Sequence, residues 1–241
     1  MINAIGPNSF IQYTWNQAGE LTDYLVRFPL QIDFKRQTGL FLRRAESMER
    51  FGGLEFREHE NWVSFNSGYL RWMDFFVAAS SGTRPNFFPP AGMAPFLGSY
   101  RDAQASFTFR PTSRLLLDQT YLYSHLEAHG ASGHRGAIFD NHIVRTRVNY
   151  QFSRELSLRA ILDYDAILPN PALIALTRTK HVTADLLLTY LVHPGTAFYV
   201  GLTEGRDNLE LDPIAGIRPT SNPTLSTGRQ FFVKTSYLFR F

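Results

Sequence analysis

The residues with chemistry to offer recur at every second position. Between Leu156 and Ala166, Ser157, Arg159, Asp163 and Asp165 alternate with Leu158, Ala160, Leu162 and Tyr164. From Thr22 to Lys35, Asp23, Arg27, Gln31, Asp33 and Lys35 alternate with Tyr24, Val26, Phe28, Leu30, Ile32 and Phe34. From His181 to Val192, His181, Thr183, Asp185 and Thr189 oppose Val182, Ala184, Leu186, Leu188, Tyr190 and Val192. At the end of the chain Gln230, Lys234, Ser236 and Arg240 stand against Phe231, Val233, Tyr237, Phe239 and Phe241. The same pattern puts Asp102, Arg110, Asp118, Arg145 and Arg147 on the charged side. Such a face can be a polar path for a solute. It can equally be a set of cross-strand ion pairs filling an interior, each contributing little.

Other residues invite narrower readings. His125, His129, His134 and His142 gather around one polar segment, and His125, Glu127 and His129 would share a strand face, a spacing compatible with metal. Scattered solvated histidines are the plainer reading, and no metal and no cofactor is expected. The apolar, stiff run Phe87-Phe88-Pro89-Pro90-Ala91-Gly92-Met93 could turn into an interior as a constriction, or pack on neighbouring loops. Asp207, Glu210 and Asp212 could hold a divalent ion that bridges lipopolysaccharide, or belong to a solvated loop. Catalysis finds little support. The chain has neither a GxSxG elbow nor an HExxH helix, and a close pair such as Asp163 and Asp165 is ordinary on a polar strand face.

The elements that must carry these residues are strands. Alternation with a period of two runs through segments of about ten residues or more, which predicts β-structure. Roughly twelve strands follow, at 9–16, 21–35, 38–50, 59–67, 70–82, 99–111, 114–128, 138–152, 155–167, 181–193, 196–207 and 229–241. Tight turns are expected at Arg36-Gln37, Ser67-Gly68-Tyr69, Pro111 to Ser113, Ser153-Arg154 and Pro194-Gly195. Longer loops are expected at 51–58, 83–98, 129–137, 168–180 and 208–228. Short turns on one rim and long loops on the other is the plan of an outer-membrane barrel. A bilayer offers no water to unpaired backbone groups, so a sheet that crosses it must close on itself, one face towards lipid and one towards the lumen. Strands of about ten to fourteen residues reach ~33–47 Å, enough to cross even when tilted. Pro29, which removes a ladder hydrogen bond, and the short break at 17–19 do not fit the pattern. The expected fold is therefore an all-β, antiparallel up-and-down transmembrane β-barrel over residues 1–241, either closed with about twelve strands or part of a larger barrel. An even strand number puts both ends on the periplasmic rim.

Composition agrees. Aromatics make up 15% of the 241 residues, with 21 Phe and 11 Tyr, which suits strands and membrane interfaces. Cysteine is absent, so disulfides and thiolate metal sites are excluded. No apolar run is long enough for a transmembrane helix, and the start MINAIGPNSF lacks the basic and apolar regions of a secretory signal. The net charge of +3 is spread along the chain without a basic stripe, so nucleic acid is not an expected partner.

The segments from Tyr150 to Arg206 and from Gly228 to Phe241 resemble the C-terminal barrel of the domain of unknown function 5916 family of bacterial outer-membrane proteins. Pro89-Pro90-Ala91-Gly92 and the run from Phe109 to Tyr123 look similar too. The resemblance implies that the chain is the C-terminal portion of a longer protein, whose family-9-like carbohydrate-binding domain lies outside it. It implies a Gram-negative outer membrane with its lipid and lipopolysaccharide, a link to carbohydrate, and a terminal Phe241 read by the barrel assembly machinery. The functional expectation is a channel or transporter-like barrel. The alternatives are an outer-membrane enzyme, or a structural or binding barrel, whose working residues lie upstream.

One expectation concerns a single hairpin. The tight turn at Ser153-Arg154-Glu155 fixes the register of its two strands. The polar sides must face each other, so Arg145 opposes Asp163 and Asn149 opposes Arg159. One step along, Arg147 would oppose Asp163 and Arg145 would oppose Asp165.

Overall fold

The computed structural model describes residues 2–130 and 133–238. Its strands are β1 (Ile2–Pro7), β2 (Phe10–Trp15), β3 (Leu21–Phe34), β4 (Thr38–Phe51), β5 (Leu54–Leu70), β6 (Met73–Asn86), β7 (Phe96–Thr112), β8 (Leu115–Ala128), β9 (Gly136–Gln151), β10 (Leu156–Pro169), β11 (Thr179–His193), β12 (Thr196–Asp207), β13 (Leu209–Asp212), β14 (Gly216–Pro219) and β15 (Leu225–Tyr237). Thirteen strands form one antiparallel sheet in which each strand pairs with its sequence neighbour from β3 to β12, and β12 then pairs with β15. β13 and β14 make a separate hairpin. This is the up-and-down architecture that the alternation predicts.

Several strands, β5, β7 and β9 among them, are longer than the sequence pattern marks, and several turns move. The expected long loop at 51–58 does not exist. β4 and β5 run on to Phe51 and Leu54, joined by Gly52 and Gly53, both at positive φ. Two successive left-handed residues match the right-handed twist of a hairpin, and glycine adopts them without strain. The turn expected at Ser67-Gly68-Tyr69 lies further on, at Arg71-Trp72, with a register shift between Ser67 and Leu70. The loop expected at 208–228 contains the β13–β14 hairpin, and β15 begins at Leu225. On the first rim, Arg36 and Gln37 both hold positive φ (57° and 55°) without being glycine, a costly geometry that fixes the β3–β4 turn.

Pro29 finds its explanation at the edge of the sheet. β1 and β2 both pair with β3, as two parts of one edge strand. β1 ends at Pro7 opposite Leu30, and β2 starts at Phe10 opposite Arg27. Pro29, which has no N–H to donate, therefore faces the interruption between them, while its other side keeps register with Arg43 of β4. The opposite edge is β15. Among the described residues β15 pairs with neither β1 nor β2. The two edges run antiparallel to one another, and both are exposed, β15 from Ser226 onward.

Register sorts the side chains onto two faces. One face carries continuous cross-strand apolar rows, such as Leu158–Leu188–Val200–Val233 and Ala160–Leu186–Leu202–Phe231. Leu162, Tyr190 and Phe198 share this face; Phe239 lies outside the described residues. Many of these are exposed, including Leu162, Leu186, Tyr190 and Val233. The apolar rows occupy the half nearest the short turns. Towards the long loops the same face turns polar, through Arg44, Glu46, Asn61, Ser81, Arg101, His125, Asp140, His142, Glu204, Arg206 and Arg229. The other face carries charged and polar groups on nearly every strand, with an apolar cluster of Phe96, Leu126 and Ala128 at its long-loop end.

Candidate functional site

Asp23, Arg27, Asp33, Asp102, Asp118, Arg145, Arg147, Arg159, Asp163, Asp165, Asp185 and Lys234 all fall by register on the polar face. Lys35 lies in the β3–β4 turn, and Arg240 and Phe241 lie outside the described residues. The β9–β10 hairpin takes the first of its two expected registers: Arg145 opposes Asp163, and Asn149 opposes Arg159. The Arg145 guanidinium grips the carboxylate with two bonds, Nε to Oδ1 at 2.6 Å and Nη2 to Oδ2 at 3.2 Å. The fork geometry matches the carboxylate plane, so the pair fixes register as well as charge. Thr203 donates to Asp185, and Thr108 to Asp118 at 2.8 Å.

A denser network lies between β4 and β7. Glu60 accepts from Arg43 and, at 3.0 Å, from the Tyr100 hydroxyl. Arg84 sits 3.0 Å from Asp102 and 3.7 Å from Glu60, with its guanidinium 3.8 Å above the centre of the Tyr100 ring. The ring and both carboxylates hold this arginine in place. Gly82, between Glu60 and Tyr100 in the ladder, makes the arrangement possible. A Cβ there would lie 1.8 Å from the His59 carbonyl oxygen and 3.0 Å from the Tyr100 ring. A cleft of about 150 Å³ opens beside these groups, lined also by Arg27 and Glu58. The alternation of β4 to β6 hid this network. Trp62 and Phe76 share its face, whereas Arg44 and Asn61 stand among the apolar residues opposite, so the polar phase is blurred. The usable signal was the run of like parity, Glu58, Glu60, Ser64 and Asn66.

Two long loops meet over this face. The loop from Phe87 to Pro95 and the loop from Asn170 to Arg178 leave the sheet on either side of β8 and β9. The Ala175 N–H donates to the Phe88 carbonyl at 2.8 Å. The buried Asn86 amide donates to the Leu173 carbonyl at 2.7 Å, and its Oδ1 accepts from the Phe88 N–H at 3.3 Å. Leu173 and Ile174 pack with Phe96, Tyr100, Leu126, Ala128 and Ile138, and Met93 and Phe139 flank them. Phe87 turns to Phe51 and Phe56, with ring centres 4.7 Å and 6.0 Å away. Loops rooted that far apart can join only across the concave side of a curled sheet. The polar face is therefore the inside, and the strap crosses it at the long-loop end. Of the two readings of the Phe87–Met93 run, packing on a neighbouring loop is what it does, and it does so over the interior.

The histidines divide differently. His125 Nδ1 lies 2.8 Å from Asp140, which also accepts from Tyr123 at 2.8 Å, and His142 Nδ1 meets the Tyr121 hydroxyl at 2.9 Å. These sit on the outward face. His129 bonds Ser99 at 3.0 Å, and the His134 ring lies tilted against Phe96, with centres 4.8 Å apart. Among the described residues no group of three or more ligand side chains could hold a metal. Two residues of the acidic run are engaged by protein groups, Asp207 across β11 and β15 and Asp212 within its own turn. Asp207 meets His181 at 2.6 Å and Thr227 at 2.6 Å, and Asp212 accepts from the Ile214 and Ala215 N–H groups at 2.8 Å each. Those backbone donors hold the Asp212 carboxyl below its ordinary pKa.

No family model matches the chain, and no curated protein does. Among solved structures it is similar to OmpT (in-vitro folded), an outer membrane protein of Vibrio cholerae, at 7% identity and a TM-score of 0.43, over 98% of this chain and 85% of that one. It is also similar to the CymD monoaromatic hydrocarbon channel, at 10% identity and a TM-score of 0.33, over 84% of this chain and 74% of that one.

Proposed function

We propose that this chain is the membrane-spanning part of an outer-membrane β-barrel through whose lumen small polar solutes pass. The observation that carries the reading is the division of the two faces. One is apolar in unbroken cross-strand rows such as Leu158–Leu188–Val200–Val233, and the other bears charge on nearly every strand. In water such an exposed apolar band would be an aggregation hazard; against lipid it is the stable surface. The antiparallel sense of β1–β2 and β15 supports closure, either directly or through further strands between them, because an open edge is untenable in lipid. The polar interior, the loop strap and the resemblance to the 5916 family fit a solute path. A link to carbohydrate rests on that resemblance alone, as does recognition of Phe241 by the assembly machinery.

The test is reconstitution of the refolded chain into lipid vesicles, with folding read by heat-dependent gel mobility. Stepwise conductance and swelling in small sugars are expected. Folded protein that leaves vesicles as tight as empty ones would overturn solute passage and leave a binding or anchoring barrel.

A further inference from the structure

We infer that the short-turn mouth of the lumen is a binding site for small oxyanions, carboxylate- or phosphate-bearing solutes. The inference rests on the reading of the polar face as a lumen open to solutes. At that mouth lies a cleft of about 560 Å³ between the β7–β8 and β9–β10 turns. That volume falls within the usual range for a small-molecule site. Arg110, Arg114 and Arg159 line it, and no carboxylate does. The rest of its polar lining is neutral, from groups such as Asn149, Gln151, Ser157 and Thr189.

Two observations separate this cluster from the charge pairs higher in the lumen. First, the arginines are not neutralised alike. Arg110 pairs with Asp74, outside the cleft, whereas neither Arg114 nor Arg159 has an ion pair among the described residues. Arg147 adds a third unpaired guanidinium on the same wall. It faces inward opposite Ile161, diagonal to Arg159, and its other neighbour in register, Asp118, accepts from Thr108 instead. Second, position along the lumen matters. Glu60 and Asp102 hold Arg43 and Arg84 towards the long-loop end, whereas Arg114, Arg147 and Arg159 stand without an ion pair among the described residues towards the other. Unpaired like charges on one wall repel each other, and an anion between them relieves the repulsion. A guanidinium offers two parallel N–H donors to a carboxylate or phosphate, and the neutral amides and hydroxyls can serve the remaining oxygens. A mouth of one sign also raises the local concentration of its counter-ion and biases permeation.

The experiment is a planar bilayer holding the refolded chain under a potassium chloride gradient, with reversal potential as the readout. The wild type should prefer chloride to potassium. The triple variant Arg114→Gln, Arg147→Gln, Arg159→Gln should lose that preference, while Arg44→Gln on the outer face should leave it unchanged. Gel mobility checks that each variant folds, and the three single variants, each expected to lower the preference in part, serve if the triple does not fold. A cation-preferring wild type, or variants indistinguishable from it, would overturn the site. If the folded wild type does not conduct at all, solute passage fails, and calorimetric titration with citrate and with inorganic phosphate then decides the site. Binding lost in the variants supports it, and absence of binding to the wild type overturns it.

Discussion

An arginine at Leu188 measures the outward face directly. On β11 the outward side chains run Val182, Ala184, Leu186, Leu188, Tyr190 and Val192, so Leu188 is next to the middle of the apolar span. Its cross-strand neighbours are Leu158 and Val200, and none of the three meets a charge in the ladder. An arginine at the midplane of an outer-membrane barrel costs about 2–4 kcal/mol. That is about a 30- to 700-fold loss in the folding equilibrium. Val182→Arg, at the edge of the span, should cost only about 0–1 kcal/mol. Thr189→Arg, one residue along but inward, lies opposite Ser157 and diagonal to Arg159. Its penalty is charge repulsion across water, below about 1 kcal/mol and weakened by salt. The assay is equilibrium unfolding in denaturant with the protein in lipid vesicles. Equal losses at Leu188 and Thr189, or a profile without a maximum near Leu188, would refute the assignment of faces.

Three further outcomes follow from the same geometry. A double-mutant cycle on Arg145→Ala and Asp163→Ala should give a coupling below about 1 kcal/mol, because the arginine is more than half exposed; a coupling of several kcal/mol would mean that water is excluded there. Asn86→Ala removes the acceptor for the Phe88 N–H and the donor to the buried Leu173 carbonyl, which left unpaired costs about 1–3 kcal/mol. Faster amide exchange at Phe88 and Ala175 with higher conductance is expected, and unchanged exchange would dissociate the strap from this residue. Asp212 has a lowered carboxyl pKa, so its contribution to the β13–β14 turn is present above the ordinary aspartate value, about 3.9, and is lost as pH falls through the folded value. The Ile214 and Ala215 amide shifts should titrate together in that acid range, and Asp212→Asn should abolish the titration.

Strand existence and facing were legible because a half-buried strand writes its faces into alternate residues. The β9–β10 hairpin could be placed in advance for that reason: only two registers kept charge on one side, and the turn length took one of them. Turn positions were less legible. Gly52-Gly53 is a strong hairpin signal, but the charged residues Glu55, Arg57 and Glu58 after it read as loop, whereas they belong to a strand that continues beyond the apolar rows. β1 was invisible because six residues ending at Pro7 carry little alternation, and its pairing depends on the distant Phe34 to Leu30 segment of β3. The Glu60–Arg84–Tyr100 network was missed because it depends on which strands lie side by side, through a glycine whose neighbours no local pattern specifies.

The length of the strands relates the two ends of the lumen. A tilted strand needs about 9–11 residues to cross the hydrocarbon core. β5 and β7 have 17 residues each, and β9 has 16. The surplus lies on the long-loop side, because the outward apolar rows begin at the short turns and give way to polar residues further along. On β12 they run Phe198, Val200 and Leu202 before Glu204, which Arg206 and Arg229 hold at 2.7 Å and 3.1 Å. The outward polar groups above the apolar rows thus satisfy one another in water, as the Arg44–Glu46 and His125–Asp140 pairs also do. At that same height the interior is crossed by the strap of Leu173, Ile174 and Met93, which carries no charge. Among the described residues no strap crosses the short-turn end, where Arg114 and Arg159 line the cleft. On the proposed reading of a solute path, the strap is a steric, apolar restriction at one end and the arginines are an electrostatic one at the other. The proposal thus separates selection by size from selection by charge, and the strap and the arginines can be altered independently to test each.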